Sequence, residues 1–218
     1  MKEIRELSWH NATAFPLIRQ IKTFLAAFQF LFGLWSDKLF GNNSSARKTR
    51  RAKWLVRKFL KLGPTFIKIG QALSTRGDLV PLEYIQEFSQ LQDRVPPFSS
   101  KQAIASIERE LGKSIQTLFQ DFDTLPLAAA SLGQVHWARL HSGDEVVIKV
   151  QRPGLEKLFK LDFKNLRVLI KLVNIFSKDL RKYNLAVISQ EFFELLFQEI
   201  DYVNELSLIH ISEPTRPY

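Results

Sequence analysis

Gln134-Val135-His136-Trp137-Ala138-Arg139-Leu140 is followed, across His141-Ser142-Gly143-Asp144, by Glu145-Val146-Val147-Ile148-Lys149-Val150. Two runs rich in β-branched and aromatic residues, joined by a short connection containing glycine, predict an antiparallel hairpin. Arg152-Pro153-Gly154 ends the second run, because proline cannot donate to a sheet ladder. Upstream, Ala128-Ala129-Ala130-Ser131-Leu132-Gly133 leads into the first strand as a run of small residues. Downstream, two long apolar helices are expected, roughly Leu155–Lys178 and Leu185–Leu206.

The chain before the hairpin, residues 46–126, reads as helical. Ala52, Leu55, Val56 and Phe59 recur at helical spacing among Arg47, Lys48, Arg50, Arg51, Lys53, Arg57 and Lys58. A second helix is expected to start at Pro64, since proline suits a first helical turn. A third runs from Ser99 or Ser100 as N-cap to Gly112 as the stop, with Ile104, Ile107 and Leu111 on one face. Arg94-Val95-Pro96-Pro97 between them must be extended. The fold class is therefore α+β: a small antiparallel sheet with helices before and after it.

Length and composition narrow the function. At 218 residues and 45% hydrophobic content, one to two packed domains are expected. With no cysteine, disulfides and thiolate metal sites are excluded; His10, His136, His141 and His210 lack ligand spacing, so no metal site is expected. The net charge is +9, and from Lys38 to Gly77 there are eleven Lys or Arg and no Asp or Glu. That asymmetry points to a polyanion: anionic lipid, nucleic acid or nucleotide phosphate. No nucleic-acid reading motif accompanies it, so nucleic acid is not an expected partner. Phe24 to Trp35 is an apolar run of twelve interrupted by Gln29. A spanning helix needs about 20 residues, so an interfacial helix or a buried one are the two readings. The mixed-charge start, Lys2, Glu3, Arg5 and Glu6, is not that of a typical signal peptide. Residues 207–218, with Pro214 and Pro217, break the helical pattern and read as a foreign tail.

Three further groups carry chemistry. Lys149 in a β-branched strand either meets an anion or faces water from an edge strand. Lys68 and Gln71 share a helix face, with Gly70 between them permitting close backbone approach; a solvated basic face is the plainer reading. Near the end of the last helix, Asp201 and Glu205 face the same way and Glu199 is rotated away, which suggests contact with cations such as Lys149 and Lys68. A small-residue loop, a strand lysine and a helix glutamate, in that order, correspond to the phosphate-handling half of a protein-kinase-like site.

Four motifs together, Lys68-Ile69-Gly70-Gln71, Ala128 to Val135, Val147 to Gly154 and Glu199-Ile200-Asp201-Tyr202, resemble the UbiB/AarF family of atypical protein-kinase-like proteins. The resemblance runs from about Leu62 to Leu206. It implies a kinase N-lobe, residues 127–206, preceded by a helical K-x-G-Q extension, 62–126. Residues 1–61, before it, read from their apolar run and basic cluster as an amphipathic, basic, membrane-proximal region. Under the resemblance, Ala128, Ala129, Ala130, Ser131, Leu132, Gly133 and Val135 form an alanine-rich nucleotide loop. Lys149 is the nucleotide lysine and Glu205 its helix partner; Lys68, Gly70 and Gln71 fold over the site, with Glu199 and Asp201 as their acidic counterpart. ATP or ADP is the implied cofactor, with Mg²⁺ only in a complete protein, because the catalytic-loop Asp, the metal Asn and the D-F-G Asp are missing. The implied role is a fragment of an atypical kinase or ATPase of quinone or other prenyl-lipid metabolism, inactive by itself. It would work inside the cell, peripheral to a bacterial inner membrane or organelle membrane, touching nucleotide and an anionic membrane surface or prenyl lipid. The alternative is a non-catalytic membrane-binding module.

Overall fold

The computed structural model describes residues 15–40, 44–91, 95–176 and 184–201. Its contacts divide into two compact units. The first holds the described residues up to Val95 together with Gly154–Glu194, and the second holds Pro96–Pro153 with the residues from Leu195 onward.

The first unit is helical: α1 (Pro16–Leu39), α2 (Ser45–Leu62), α3 (Pro64–Leu73), α4 (Leu82–Phe88), a 3₁₀ turn (Ser89–Leu91) and α7 (Leu155–Phe176). The start of α8 (Leu185–Ile200) belongs to it as well. Gly63 joins α2 to α3 at φ +90°, a conformation that glycine adopts without strain, and Pro64 opens α3 as expected. That sharp joint folds Phe59 of α2 onto Phe66 of α3 and Phe88 of α4, with ring centroids 5.9 and 5.6 Å apart. Ala52, Val56, Ile67, Tyr84 and Leu91 complete the core.

α1 corrects the expectation drawn from its apolar run. The helix is 24 residues long and, by length and composition, sufficient to cross a membrane. The twelve-residue count fell short because Arg19, Lys22, Asp37 and Lys38 lie inside the helix rather than bounding it. Its polarity is inverted: Arg19, Thr23 and Asp37 are buried with Ala26, whereas Ile21, Leu25, Phe28, Phe32 and Trp35 are exposed. Only 17% of its most apolar window is buried, so α1 is not the core helix of this unit. The inward polar side is held by ions. Arg19 donates two hydrogen bonds to Asp162 of α7, 2.8 Å from Nε and 2.6 Å from Nη2, and a third to the Leu62 carbonyl. Thr65 of α3 donates to the same carboxylate. Farther along, Asp37 receives Arg47 and Arg51 of α2.

The second unit contains α5 (Ser100–Leu111), α6 (Ile115–Leu118) and a four-stranded antiparallel sheet. β3 (Gly133–Arg139) is central; β4 (Glu145–Gln151) pairs along one side, and β1 (Asp121–Phe122) and β2 (Ala128–Ala129) pair in tandem along the other. The expected hairpin is present, with Gly143 at φ +95° in its turn. α5 has the expected caps: Ser99 accepts from the Gln102 amide and Gly112 ends it in the left-handed region. Ile107 is buried as expected, but Leu111 is 54% exposed, because the buried face instead follows Ala103, Ser106 and Ile107. One sheet face, with Ala138, Val146, Ile148 and Val150, joins Phe98, Ala103, Ile107, Ile115 and Phe119 in a core. The expected helix to Leu206 is described only as far as Ile200, so Asp201 follows the helix rather than lying in it. Residues 207–218 lie outside the described residues.

Candidate functional site

Strand register places the sequence motifs of the second unit. Ala128 of β2 pairs with Val135 of β3, and Val135 pairs with Lys149 of β4, so these residues form one row across the sheet. Neighbouring strands are about 4.8 Å apart, which puts the row within the span of one small ligand. It lies on the face opposite the α5 core, where Val147 is 60% exposed and Lys149 is exposed. β4 has β3 as its neighbour and no other strand among the described residues, so Lys149 stands on an edge strand.

The small-residue run is more ordered than a loop. Ala128 and Ala129 form β2, and the chain reverses with the Ala130 amide donating to the Gly133 carbonyl at 2.8 Å. Gly133 has no positive φ; a Cβ there would lie 2.6 Å from the Val150 carbonyl oxygen. Its glycine is required by strand proximity rather than by conformational freedom. Ser131 and Leu132 are buried beneath this turn.

Arg152, which in sequence ends a strand and falls within the Val147 to Gly154 motif, has a role that sequence reasoning missed. Its side chain is 2% exposed and donates to the carbonyls of Ser131 (3.3 Å), Ala130 (3.3 Å) and Pro96 (3.0 Å). It also lies over the Phe98 ring, 4.9 Å from the centroid. Burial pushes the guanidinium down to about 10, so it remains protonated at neutral pH. The turn beside the Ala128–Val135–Lys149 row is thus pinned from below by a cation. Gln134 and His136 supply a second brace. Phe98 N–H donates to Gln134 Oε1, and His136 Nδ1 donates to the Asp123 carbonyl, which leaves Nε2 to accept from Gln134 Nε2 at 2.9 Å. An Arg-Pro-Gly sequence and a Gln-x-His pair were the available signals; neither shows its partners locally.

The acidic segment reaches the same unit. Gln151 shares the face of Lys149 and its Nε2 donates to the Ile200 carbonyl at 2.7 Å. That bond brings the Glu199–Asp201 end of α8 to β4; both carboxylates are exposed and neither lacks a partner. Glu205 lies outside the described residues.

Lys68, Gly70 and Gln71 belong to the helical unit. Gln71 Nε2 donates to the Leu91 carbonyl at 2.9 Å, fixing the 3₁₀ turn. A Cβ on Gly70 would lie 2.3 Å from Leu91 Cδ1 and 2.9 Å from Phe59 Cδ2. Two of the three residues are therefore explained by close packing, and Lys68, half-buried, is not.

A family model described as the ABC1 atypical kinase-like domain matches residues 90–209, which contain this whole sheet, the Ala-rich turn, Lys149 and Glu199–Asp201. The chain belongs to the ABC1 atypical kinase-like family. An uncharacterized Synechocystis protein is 52% identical over 92% of this chain and 36% of its own length. The chloroplastic Arabidopsis thaliana protein named ACTIVITY OF BC1 COMPLEX KINASE 8 is 46% identical over 90% of this chain and 27% of its own length. A Pseudomonas fluorescens protein named "Probable protein kinase UbiB" is 45% identical over 66% of this chain and 27% of its own. The chain thus spans about a third or less of the curated relatives it matches. Among solved structures, a Mycobacterium tuberculosis protein in complex with erythromycin matches with a TM-score of 0.38 and 28% identity, over 62% of this chain and 34% of that one.

Proposed function

We propose that this ABC1-family chain carries the nucleotide-side portion of an ATP-handling atypical kinase or ATPase. The observation that supports it is the Ala128–Val135–Lys149 row beside a pinned turn of small residues. Ala128 and Val135 offer an apolar surface for a flat base and Lys149 a cation for phosphate oxygens, beside the turn of small residues. In the intact protein Lys149 pairs with Glu205, because a lysine and a carboxylate gathered at one site neutralise each other. Three alanines where glycines would give greater freedom narrow how the phosphates are held, which favours selective nucleotide binding over rapid transfer.

The outward apolar face of α1 supports a place at a membrane, and with the family resemblance it supports quinone or other prenyl-lipid metabolism as the setting. The test is ATP and ADP affinity of the intact protein, wild type against Lys149→Ala. At least a tenfold loss is expected, and unchanged affinity for both nucleotides overturns the assignment of this lysine.

A further inference from the structure

The helical unit holds a half-open apolar pocket of about 450 Å³ between α1, α2, α3, α4 and α7. Ligand pockets run from roughly 300 to 1,000 Å³. The walls are apolar, among them Phe30, Leu55, Ile69, Leu73 and Leu166. Three lining residues break the pattern, Thr23, Tyr84 and Lys58. Thr23 is 2% exposed and its Oγ1 has no hydrogen-bond partner among the described residues. The buried Tyr84 hydroxyl, like that of Thr23, has no hydrogen-bond partner among them. Lys58 also lines the pocket, and its Nζ stands 5.1 Å from the Trp54 ring centroid. The wall supplied by α1, through Ala27, Phe30 and Leu34, is the reverse side of the helix whose outer surface is apolar and exposed.

We infer that this pocket binds a single-chain amphiphile: one apolar tail, with a hydroxyl or carboxylate head that satisfies Thr23 and Lys58. A lipid-facing α1 would give such a molecule a path from a bilayer. The inference goes beyond nucleotide handling and stands without it, since it rests on the other unit.

Dodecanol, dodecanoate and the branched alcohol farnesol, titrated into the 218-residue chain below their micellar concentrations, test it and separate straight from branched tails. Affinity is expected to rise about fourfold per methylene from octanol to dodecanol. Ala27→Phe and Val80→Phe, which fill the pocket from different elements, each lose at least tenfold in affinity while helical circular dichroism is kept. Thr23→Val weakens dodecanol about three- to tenfold and leaves the chain-length dependence intact. A diazirine-bearing fatty alcohol photolysed on the wild-type chain gives a readout that needs no variant: label is expected on peptides of α1, α3 and α4 that line the pocket. Undiminished binding in both filled variants overturns the inference, as does label confined to the outward residues Phe28 and Phe32.

Discussion

The Arg152 guanidinium has left water for a shell of main-chain carbonyls, and its charge strengthens each bond it donates. Arg152→Met keeps much of the volume and removes the donors, leaving the Ala130, Ser131 and Pro96 carbonyls against an apolar side chain. A loss of about 2–4 kcal/mol is expected, read as a lower urea midpoint. Arg152→Lys restores little, since an ammonium cannot spread over a guanidinium's fork of acceptors. Lys149 makes the opposite case. Its side chain is exposed on an edge strand, so Lys149→Ala changes stability by about 0.5 kcal/mol or less, measured in the same titration. A lysine whose removal costs nucleotide affinity but not stability is one kept for its ligand. Gly70 belongs with Arg152: Gly70→Ala forces a methyl to within 2.3 Å of Leu91 Cδ1, and about 1–3 kcal/mol of destabilisation is expected in thermal melts.

At the scale of elements, α1 is joined to α7 by an ion pair between residues 143 apart in sequence. Breaking one side leaves a buried charge, so Arg19→Met or Asp162→Leu alone costs about 3–5 kcal/mol, and the double variant recovers much of that loss. Denaturant unfolding of all four proteins checks it, and additive costs would show that the two groups act separately. The α1–α2 clamp gives a pH dependence. The hydrogen bond from Arg51, then that from Arg47, hold Asp37 below its ordinary value of 3.8. A depressed carboxylate contributes stability that is complete above its unfolded value and is lost as pH falls through the lower folded one. Docking of α1 should therefore persist at pH 5 and weaken below about pH 4, followed by Trp35 fluorescence, and Asp37→Asn should remove that dependence. These elements also show what the sequence could reveal. Hairpin, Pro64 start and Ser99–Gly112 caps are written in neighbouring residues, so they were legible. The inward turn of Arg19 and Asp37 was not, because hydropathy counts charges as outward and their partners lie in other helices. The same holds for the site. The Ala-rich run and Lys149 announce themselves, whereas the register that aligns Ala128, Val135 and Lys149, and the arginine beneath, depend on pairing across strands.

For the molecule as a whole, a net charge of +9 and an outward apolar helix bear on the same question, whether this chain binds a membrane surface. Arg47 and Arg51 are engaged by Asp37, and Lys48 and Lys53 lie near Glu83 and Glu87. The basic residues of α2 left exposed include Arg50, Arg57 and Lys61, spaced to fall on one stripe of the helix. Near an anionic bilayer each contributes about 1 kcal/mol, so together they add about 3 kcal/mol at low salt, and screening removes most of it. The apolar part would come from the exposed Phe28, Phe32 and Trp35, since burial of such side chains in the acyl boundary is insensitive to salt. Vesicle flotation separates the two. Wild-type chain should prefer anionic over neutral vesicles and lose that preference between low and high salt. Replacing Arg50, Arg57 and Lys61 by Gln should abolish the preference and keep residual binding, whereas Phe28→Ser with Phe32→Ser should reduce binding to both vesicle types. Equal, salt-independent binding to neutral and anionic vesicles by the wild type would remove the electrostatic component, and unchanged binding by the Phe28/Phe32 double variant would show that α1 meets something other than lipid.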